Sequence, residues 1–402
     1  MTDFFDWVIL TYLDGNNELE PETAGAMREM ERTVFSKLNA LLLVQAGRLD
    51  QKTVGVLRPG REGEPPEEAW SGVRRCAAGQ GKAILLKELG NLNMAAPKNL
   101  FDFISWGMKF ESEHYMLILS GHSCEYIGIL SDYSGERPCI LGIPELGLAL
   151  EYVKKTAGKA LDLLLLDTCY ANNIELLYEL GLGGCAVKTL LTHRKTAPAE
   201  GLSYRELFKA MDDCPVPGDT PTMIEKITAC SSGELVAYEI DARRLEKIKK
   251  LFGALGRAYL GERDRDFLGA FRGGSPDAPF REEREELERL ASSLMIGRKQ
   301  GQNPLETICA LDKYIPDKGT AALYYRLAFA RDNPWTGLLC SRLAEKQFQF
   351  AVSIGFSPIP LAGSKVMALI RSSNPGMTER EAEGILAALS SERGWTFDPK
   401  SP

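Results

Sequence analysis

The sequence predicts a three-layer α/β fold, in which a mostly parallel sheet lies between two layers of helices. Strand-like apolar runs alternate with helical patterns through the first half of the 402 residues, and this alternation is typical of a parallel sheet covered on both faces. The runs are continuous in Leu, Ile and Val, as expected for strands buried on both sides. Beyond about residue 245 the pattern becomes mostly helical. We therefore predict two domains, 1–245 and 246–402.

The first elements are marked by turn and proline signals. Trp7–Leu13 is an apolar run that ends in Asp14-Gly15-Asn16-Asn17, a strong turn sequence. Leu41–Val44 is a second buried strand. Pro21 and Pro97 each open a helix, because proline is favoured in the first helical turn.

Three later strands each run into polar or reactive residues. Tyr115–Leu119 leads into Ser120-Gly121-His122-Ser123. Leu161–Leu166 leads into Asp167-Thr168-Cys169, and Ala186–Leu191 leads into Thr192-His193. The second half is less regular: it predicts a charged helix near 278–294, one further strand near 321–330 and a last helix near 377–389.

Composition excludes several classes of function. The net charge of −7 gives no basic footprint for nucleic acid, and no apolar run approaches the ~20 residues of a membrane span. The N-terminus shows no basic region followed by an apolar stretch, so no export signal is recognised. Nine cysteines without Cys-x-x-Cys spacing indicate free thiols. These features together predict a cytoplasmic protein.

His122 and Cys169 are the candidate catalytic pair. Both follow the carboxyl ends of strands, which share one edge of a parallel sheet, the usual place for a ligand site. A cysteine peptidase needs a thiol nucleophile and an imidazole that exchanges a proton with it. A helix predicted to start soon after Cys169 would lower the thiol pKa. Cysteine is also among the most buried residue types, so a packing role for Cys169 is the alternative.

These segments resemble the clostripain family of cysteine peptidases, within the caspase-like fold group, over about residues 6–245. The similarity is collinear, and the nucleophile segment is its most specific part. The similar stretches are Trp7–Asn17, Leu89–Met94, Phe101–Trp106, Tyr115–His122, Leu141–Leu146, Leu166–Leu180 and Val236–Asp241.

The resemblance implies an endopeptidase that cleaves after Arg or Lys. A cation that leaves water needs a paired carboxylate, and Asp167 and Glu200 match acidic positions of the family's substrate pocket. Their alternatives are a turn carboxylate for Asp167 and a solvated loop charge for Glu200. The amides of Ser123 and Cys169 would stabilise the oxyanion. The helical C-terminal region would shape or cover the active-site edge.

Two departures from the family pattern bear on activity. Ser123 follows the histidine where the family has Gly, which would strain the backbone if a positive φ were required there. Thr192-His193-Arg194-Lys195 is basic where the family tends to be acidic, and a substrate-side role for His193 stays open. Members of the family are commonly exported. Arg137 and Lys154-Lys155 are candidate sites for maturation by internal cleavage.

Three functions remain open from the sequence. The first is the endopeptidase, which needs no organic cofactor and would act on peptides or proteins. The second is a weakened or inactive pseudo-peptidase that binds or regulates, with Ser123 as the trace of lost activity. The third is an unrelated ligand-binding domain. Calcium, which some relatives require, is not identifiable, because no dense run of Asp, Asn and Glu is present. The oligomeric state is left open.

Overall fold

A computed structural model describes residues 4–59, 70–182, 184–198, 201–230, 235–260, 281–297, 318–340 and 356–397 of the chain. Thirteen strands are found in this part of the chain. They are β1 (Phe5–Gly15), β2 (Ala40–Arg48), β3 (Gly72–Gly79), β4 (Lys82–Gly90), β5 (Ser112–Ser120), β6 (Ser123–Cys124), β7 (Gly128–Asp132), β8 (Cys139–Gly142), β9 (Leu161–Asp167), β10 (Val187–His193), β11 (Leu235–Glu239), β12 (Met295–Gly297) and β13 (Ile359–Pro360).

The helices flank and follow these strands. Within the described ranges they are α1 (Glu20–Glu31), α2 (Gln51–Leu57), α3 (Pro97–Gly107), α4 (Ile143–Ala157), α5 (Ile174–Gly181), α6 (Tyr204–Asp212), α7 (Thr220–Cys230), α8 (Ala242–Leu260), α9 (Arg281–Leu294), α10 (Lys318–Tyr324), α11 (Pro334–Leu339), α12 (Gly363–Ser373) and α13 (Glu379–Arg393).

The main sheet has nine strands in the order β12-β11-β10-β9-β5-β1-β2-β3-β4. Its five central strands, from β10 to β2, are parallel, and antiparallel pairs extend it on both sides. The predicted α/β fold with a mostly parallel sheet is therefore confirmed. A second sheet, β13-β8-β7-β6, lies beyond the carboxyl end of β5 and has no counterpart in the sequence prediction.

The core has one apolar cluster on each face of the main sheet. Leu10 and Tyr12 of β1 belong to one cluster, whereas Ile9 and Leu13 belong to the other. Successive side chains of a strand point to opposite faces, so a continuous apolar strand supplies both clusters at once. This arrangement explains why β1 reads as an unbroken apolar run.

In the second half of the chain, one predicted element differs from the structure. The strand predicted near 321–330 is wrong: residues 318–324 form α10, followed by turns. Its buried residues Ala321, Tyr324 and Leu327 recur every three positions, a helical spacing rather than an alternation. The division at residue 245 stays a prediction, and α8 runs across that position. No helix among the described residues is long and apolar enough to cross a membrane.

Candidate active site

The ends of β5 and β9 place His122 and Cys169 at corresponding positions. These strands are parallel neighbours, and Ser120 pairs with Asp167 in their register. His122 and Cys169 each lie two residues beyond this paired position. Both line a cavity of about 1460 Å³ at this edge of the sheet. Parallel pairing thus brings together two residues that are far apart in the chain.

Gly121 makes the tight exit from β5 possible. Its φ of 157° lies outside the range that side-chain-bearing residues favour. A Cβ at this position would meet the Asp14 Cβ and a Leu130 methyl, each at 3.2 Å. The close approach of these neighbours therefore requires glycine directly before His122.

His122 is held by groups from three parts of the chain. It is 8% exposed, and its carbonyl accepts a hydrogen bond of 2.7 Å from the Leu130 amide. Its Nε2 lies 3.1 Å from Oε1 of Glu18 and 3.3 Å from Oγ of Ser373. Sequence reasoning missed Glu18, although a charged residue directly after the turn that ends β1, a strand next to β5, was a usable signal.

Cys169 lies in a turn between β9 and α5. Burial raises the pKa of its thiol, and a hydrogen bond from the Ala197 backbone only partly opposes this effect. The helix begins at Ile174, with Asn173 as its N-cap, so Cys169 is not in its first turn. The expected lowering of the Cys169 pKa is therefore wrong. A raised pKa favours the neutral thiol of Cys169.

Ser123 fits its position without backbone strain. Its φ is not positive, so the glycine of the family pattern is not required here for conformational reasons. Its hydroxyl donates a hydrogen bond to the carbonyl of Cys169. Ser123 therefore connects the histidine segment to the nucleophile turn.

The amide of Ser123 points away from the neighbouring strand. Ser123 pairs with Ile129 in the antiparallel β6–β7 ladder, and the Leu130 amide donates to the carbonyl of His122. This bond flanks a non-hydrogen-bonded pair, in which the paired amides face outward. Since β6 is an edge strand, the Ser123 amide is directed away from the second sheet, where it is available as an oxyanion donor.

Asp167 is buried next to the turn that carries Cys169, and both of its carboxylate oxygens have polar partners within the protein. It is 5% exposed. Its Oδ1 lies 2.8 Å from Nε2 of His193, and its Oδ2 accepts hydrogen bonds from the Tyr204 hydroxyl at 2.8 Å and the Leu202 amide at 3.4 Å. Burial raises the pKa of Asp167, but the hydrogen bond and charge of His193, with the other two donors, outweigh it and hold the pKa below its usual value.

The other residue predicted to contact the substrate is Glu200. Glu200 lies outside the described residues. Asp167 itself lines the cavity, as do Pro198 and Gly201. The loop that would carry the second acid thus borders the same space as the nucleophile.

The C-terminal helices α12 and α13 also line the cavity. Residues of α12, α13 and the loop between them line it, among them Leu369, Ser373 and Ile385. The loop is tied to α2, because Nδ2 of Asn374 donates to the Leu57 carbonyl at 3.0 Å. The active-site edge is therefore covered by the last two helices of the chain.

Cys124 and His114 are two other reactive side chains, and the surroundings of each indicate a packing role. Burial raises the pKa of Cys124 to about 12, which suits a packing residue. His114 stacks on Trp7 with ring centroids 4.8 Å apart and lies 3.5 Å from Asp162. Among the described residues, no group of three or more His, Cys, Asp and Glu side chains is arranged to hold a metal ion.

Solved structures with a similar fold are cysteine proteases. A secreted C11 cysteine protease from Bacteroides thetaiotaomicron, bound to an irreversible peptide inhibitor, matches with a TM-score of 0.55 and 13% identity over 84% of this chain and 99% of its own. An inactive zymogen C11 protease from Parabacteroides distasonis matches with a TM-score of 0.55 and 14% identity, over 83% of this chain and 99% of its own. At such identities the likeness establishes the caspase-like fold.

A third similar structure bears on location. It is a secreted C11 cysteine protease from Bacteroides thetaiotaomicron called iotapain, with a TM-score of 0.53 and 11% identity over 81% of this chain and 98% of its own. Two of the three neighbours are thus described as secreted, and this contradicts the cytoplasmic location expected from the sequence. Free cysteines were a poor guide, because a chain of this size can build its core without disulfides in any compartment.

Family comparison agrees with the fold. No curated protein matches the sequence closely enough to count as a relative. The clostripain family model, by contrast, matches residues 11–225, more than half of the chain. This range contains the end of β1, all of β5 and β9, and the segments that carry His122 and Cys169. The chain therefore belongs to the clostripain family of cysteine peptidases.

Proposed function

We propose that this member of the family is an active cysteine endopeptidase in which Cys169 is the nucleophile and His122 its acid–base partner. The family acts on peptides or proteins. The observation that carries the proposal is the β5–β9 register, which sets the two residues at matching positions on one cavity. Proteolysis of this kind needs a nucleophile and a base in mutual reach, and neighbouring positions on one sheet edge support this pairing.

The reaction follows from the groups around the cavity. His122 takes the thiol proton as the Cys169 sulfur attacks the substrate carbonyl, and the new oxyanion accepts hydrogen bonds from the amides of Ser123 and Cys169. The C–N bond then breaks as His122 gives its proton to the leaving amine. Water attacks the acyl-enzyme, His122 removes a proton from it, and the carboxylic acid and the free thiol are released. Because burial raises the pKa of the thiol, deprotonation by His122 accompanies the attack.

We propose a preference for Arg or Lys before the cleaved bond. Asp167 supports this preference, because its pKa is lowered and it lines the cavity as a carboxylate. Glu200 would supply the second negative charge. His193 already contacts Asp167, so we expect it to reduce the charge available to a basic side chain and to set how strong the preference is.

The alternative of a pseudo-peptidase depended on Ser123. This residue has no positive φ, and its hydroxyl supports the nucleophile turn, so its presence gives no reason to expect lost activity. The endopeptidase is therefore the function we favour.

Fluorogenic peptides that end in Arg, Lys or Asp test the proposal. The wild-type protein should release the fluorophore after Arg and Lys but not after Asp. Cys169→Ala and His122→Ala should each abolish release. Cys185→Ala is the matched control, since Cys185 is also a partly exposed free thiol but does not line the cavity, and it should retain full activity.

Three results would count against the proposal or part of it. Full activity in Cys169→Ala would show that the nucleophile is another residue. Binding of the peptides without cleavage by the wild-type protein would favour the pseudo-peptidase. Cleavage after Asp alone would leave the nucleophile in place but reject the basic pocket.

A further inference from the structure

Glu18 is a buried carboxylate that the reaction described above does not use. It follows the Asp-Gly-Asn-Asn turn at the end of β1 and is 0% exposed. Its Oε1 lies 3.1 Å from Nε2 of His122. Among the described residues, neither carboxylate oxygen of Glu18 accepts a hydrogen bond in this arrangement, and the His122 ring lies within ion-pairing distance of one of them. The imidazole of His122 is thus the polar group that approaches the Glu18 carboxylate in this part of the structure.

A buried carboxylate without a partner is costly, because the protein must replace the hydration of the charge. Other buried acids in the same region are compensated in other ways. Glu20 is paired with Arg48 at 2.5 Å, and Asp132 accepts hydrogen bonds from the Asn16 side chain and the Met94 amide. Glu18 lacks such donors, so its position requires an explanation that involves His122.

We propose that Glu18 is the positioning residue of the active site: its carboxylate lies against Nε2 of His122 and fixes the orientation of the ring. With Nε2 engaged, Nδ1 is the nitrogen left to exchange a proton with the Cys169 thiol and the leaving amine. A carboxylate at this distance orients the imidazole and stabilises the imidazolium that forms during attack, as in other nucleophile–base–acid arrangements. The inference rests on the proposed peptidase function.

Ser373 approaches the same nitrogen from α12. Its hydroxyl oxygen lies 3.3 Å from Nε2, a longer contact than that of Glu18, and it carries no charge. A hydroxyl can orient the ring but does not stabilise the imidazolium as a carboxylate does. Removal of the two groups should therefore have different effects on the pH dependence of catalysis.

Charged and titratable groups of both signs lie near Glu18. Burial and the charge of Glu18 both raise the pKa of Asp14 and of Tyr133. They also raise the pKa of Cys124, which Lys365 of α12 opposes. A raised pKa favours the neutral form of these three acids. Arg58 donates a hydrogen bond of 3.0 Å to the backbone carbonyl of Glu18, not to its carboxylate.

The experiment compares Glu18→Gln with Ser373→Ala and with Glu20→Gln. Glu20→Gln is the matched control, since it makes the same change two residues further along and weakens a buried ion pair that does not reach His122. The measurements are kcat, KM, the pH profile of kcat/KM for an Arg peptide, and the thermal midpoint of each variant.

Glu18→Gln should lower kcat on the order of 10- to 100-fold with little change in KM, because the lost group acts on proton transfer. It should also move the acid limb of the profile to lower pH by about one unit, since removal of an adjacent anion lowers the pKa of an imidazole. Ser373→Ala and Glu20→Gln should leave the acid limb in place. An unmoved acid limb in Glu18→Gln, or an equal movement in Glu20→Gln, overturns the proposal.

A second measurement does not depend on peptide cleavage. Iodoacetamide alkylates Cys169, and mass spectrometry of the peptide that contains it gives the rate at each pH. If Glu18 acts through His122, Glu18→Gln should shift this profile even if no tested peptide is a substrate. Failure of the peptidase function would then appear as absent cleavage, whereas failure of the role of Glu18 would appear as unchanged alkylation.

Discussion

His193 Nε2 lies 2.8 Å from Oδ1 of Asp167, so the carboxylate assigned to a basic substrate side chain already has an imidazole partner inside the protein. Both side chains are almost fully buried, at 1% and 5% exposure. A proton on His193 would neutralise Asp167, whereas a neutral ring would leave the pair negative. The identity of residue 193 should therefore control how strongly the pocket attracts a cation.

We predict that His193→Asn increases selectivity for Arg and Lys. Asparagine can donate a hydrogen bond to Asp167 but cannot become a cation, so the carboxylate keeps its full charge toward the substrate. The ratio of kcat/KM for an Arg peptide to that for its norleucine analogue should rise about tenfold, since an interaction with a charged group contributes ~1.5 kcal/mol and about 1.4 kcal/mol is a factor of ten. Tyr204→Phe, which removes a neutral partner of the same carboxylate, is the control. An unchanged ratio in His193→Asn would show that His193 does not tune the pocket.

Ser123→Gly should lower activity rather than restore a lost family feature. The hydroxyl of Ser123 bonds to the carbonyl of Cys169, and its loss leaves that turn with one fewer support. Because a net hydrogen bond is worth about 1 kcal/mol, kcat should fall about fivefold. Ser123→Thr, which keeps the hydroxyl, is the comparison variant. An increase of kcat in Ser123→Gly would mean that the serine does weaken the enzyme, as the sequence alone led us to consider.

The sequence predicted the parallel sheet and the shared edge of His122 and Cys169 because both follow from local patterns. Continuous apolar runs mark strands, and the carboxyl ends of parallel strands meet at one edge. The contacts of Glu18 with His122 and of His193 with Asp167 depend on strand order and on how far each loop extends. A local sequence pattern reveals neither the strand order nor the reach of a loop, so these two contacts were found only in the structure.

The error over the Cys169 pKa has a similar origin. A helix pattern after the nucleophile suggested a stabilised thiolate, but the turn Thr168–Asn173 separates the sulfur from the first residues of α5. Burial, which no sequence pattern measures, then dominates and raises the pKa. The error therefore lies in the neglect of burial rather than in the prediction of the helix.

Glu179 should make the stability of the protein depend on pH. Burial raises the pKa of this carboxyl in α5 to about 7, although the amides of Phe329 and Ala328 and the charges of Arg331 and Lys249 oppose the increase. A folded-state pKa above that of the unfolded chain means that this contribution to stability is full below about pH 4.5. It is lost as the pH rises through about 7.

We therefore expect the unfolding free energy to decrease between pH 5 and pH 8, by an amount on the order of 2 kcal/mol from this group. Glu179→Gln removes the titration and should flatten this part of the curve, which denaturant titrations at several pH values would measure. Glu225→Gln, at an exposed position of α7, should follow the wild-type curve. A Glu179→Gln curve as steep as that of the wild type would place the titrating group elsewhere.

Arg393, near the end of α13, holds the C-terminal cover of the cavity in place. Its Nη1 donates hydrogen bonds to Oδ2 of Asp50 at 3.0 Å and to the Thr53 hydroxyl at 2.7 Å, which ties α13 to α2. Removal of these bonds in Arg393→Ala should cost about 1 kcal/mol and let α12 and α13 move away from the cavity more often. Alkylation of Cys169 by iodoacetamide should then become about fivefold faster.

The neighbouring ion pair supplies the control for this prediction. Lys52 pairs with Glu392 one residue before Arg393, but its side chain is 77% exposed, and surface pairs of this kind contribute little. Lys52→Ala should therefore leave the alkylation rate of Cys169 unchanged. If both variants accelerate alkylation equally, α13 is loosened by any change at its end. If neither does, the cavity is reached from solvent without movement of the C-terminal helices, and their role is to line the bound substrate rather than to restrict its entry.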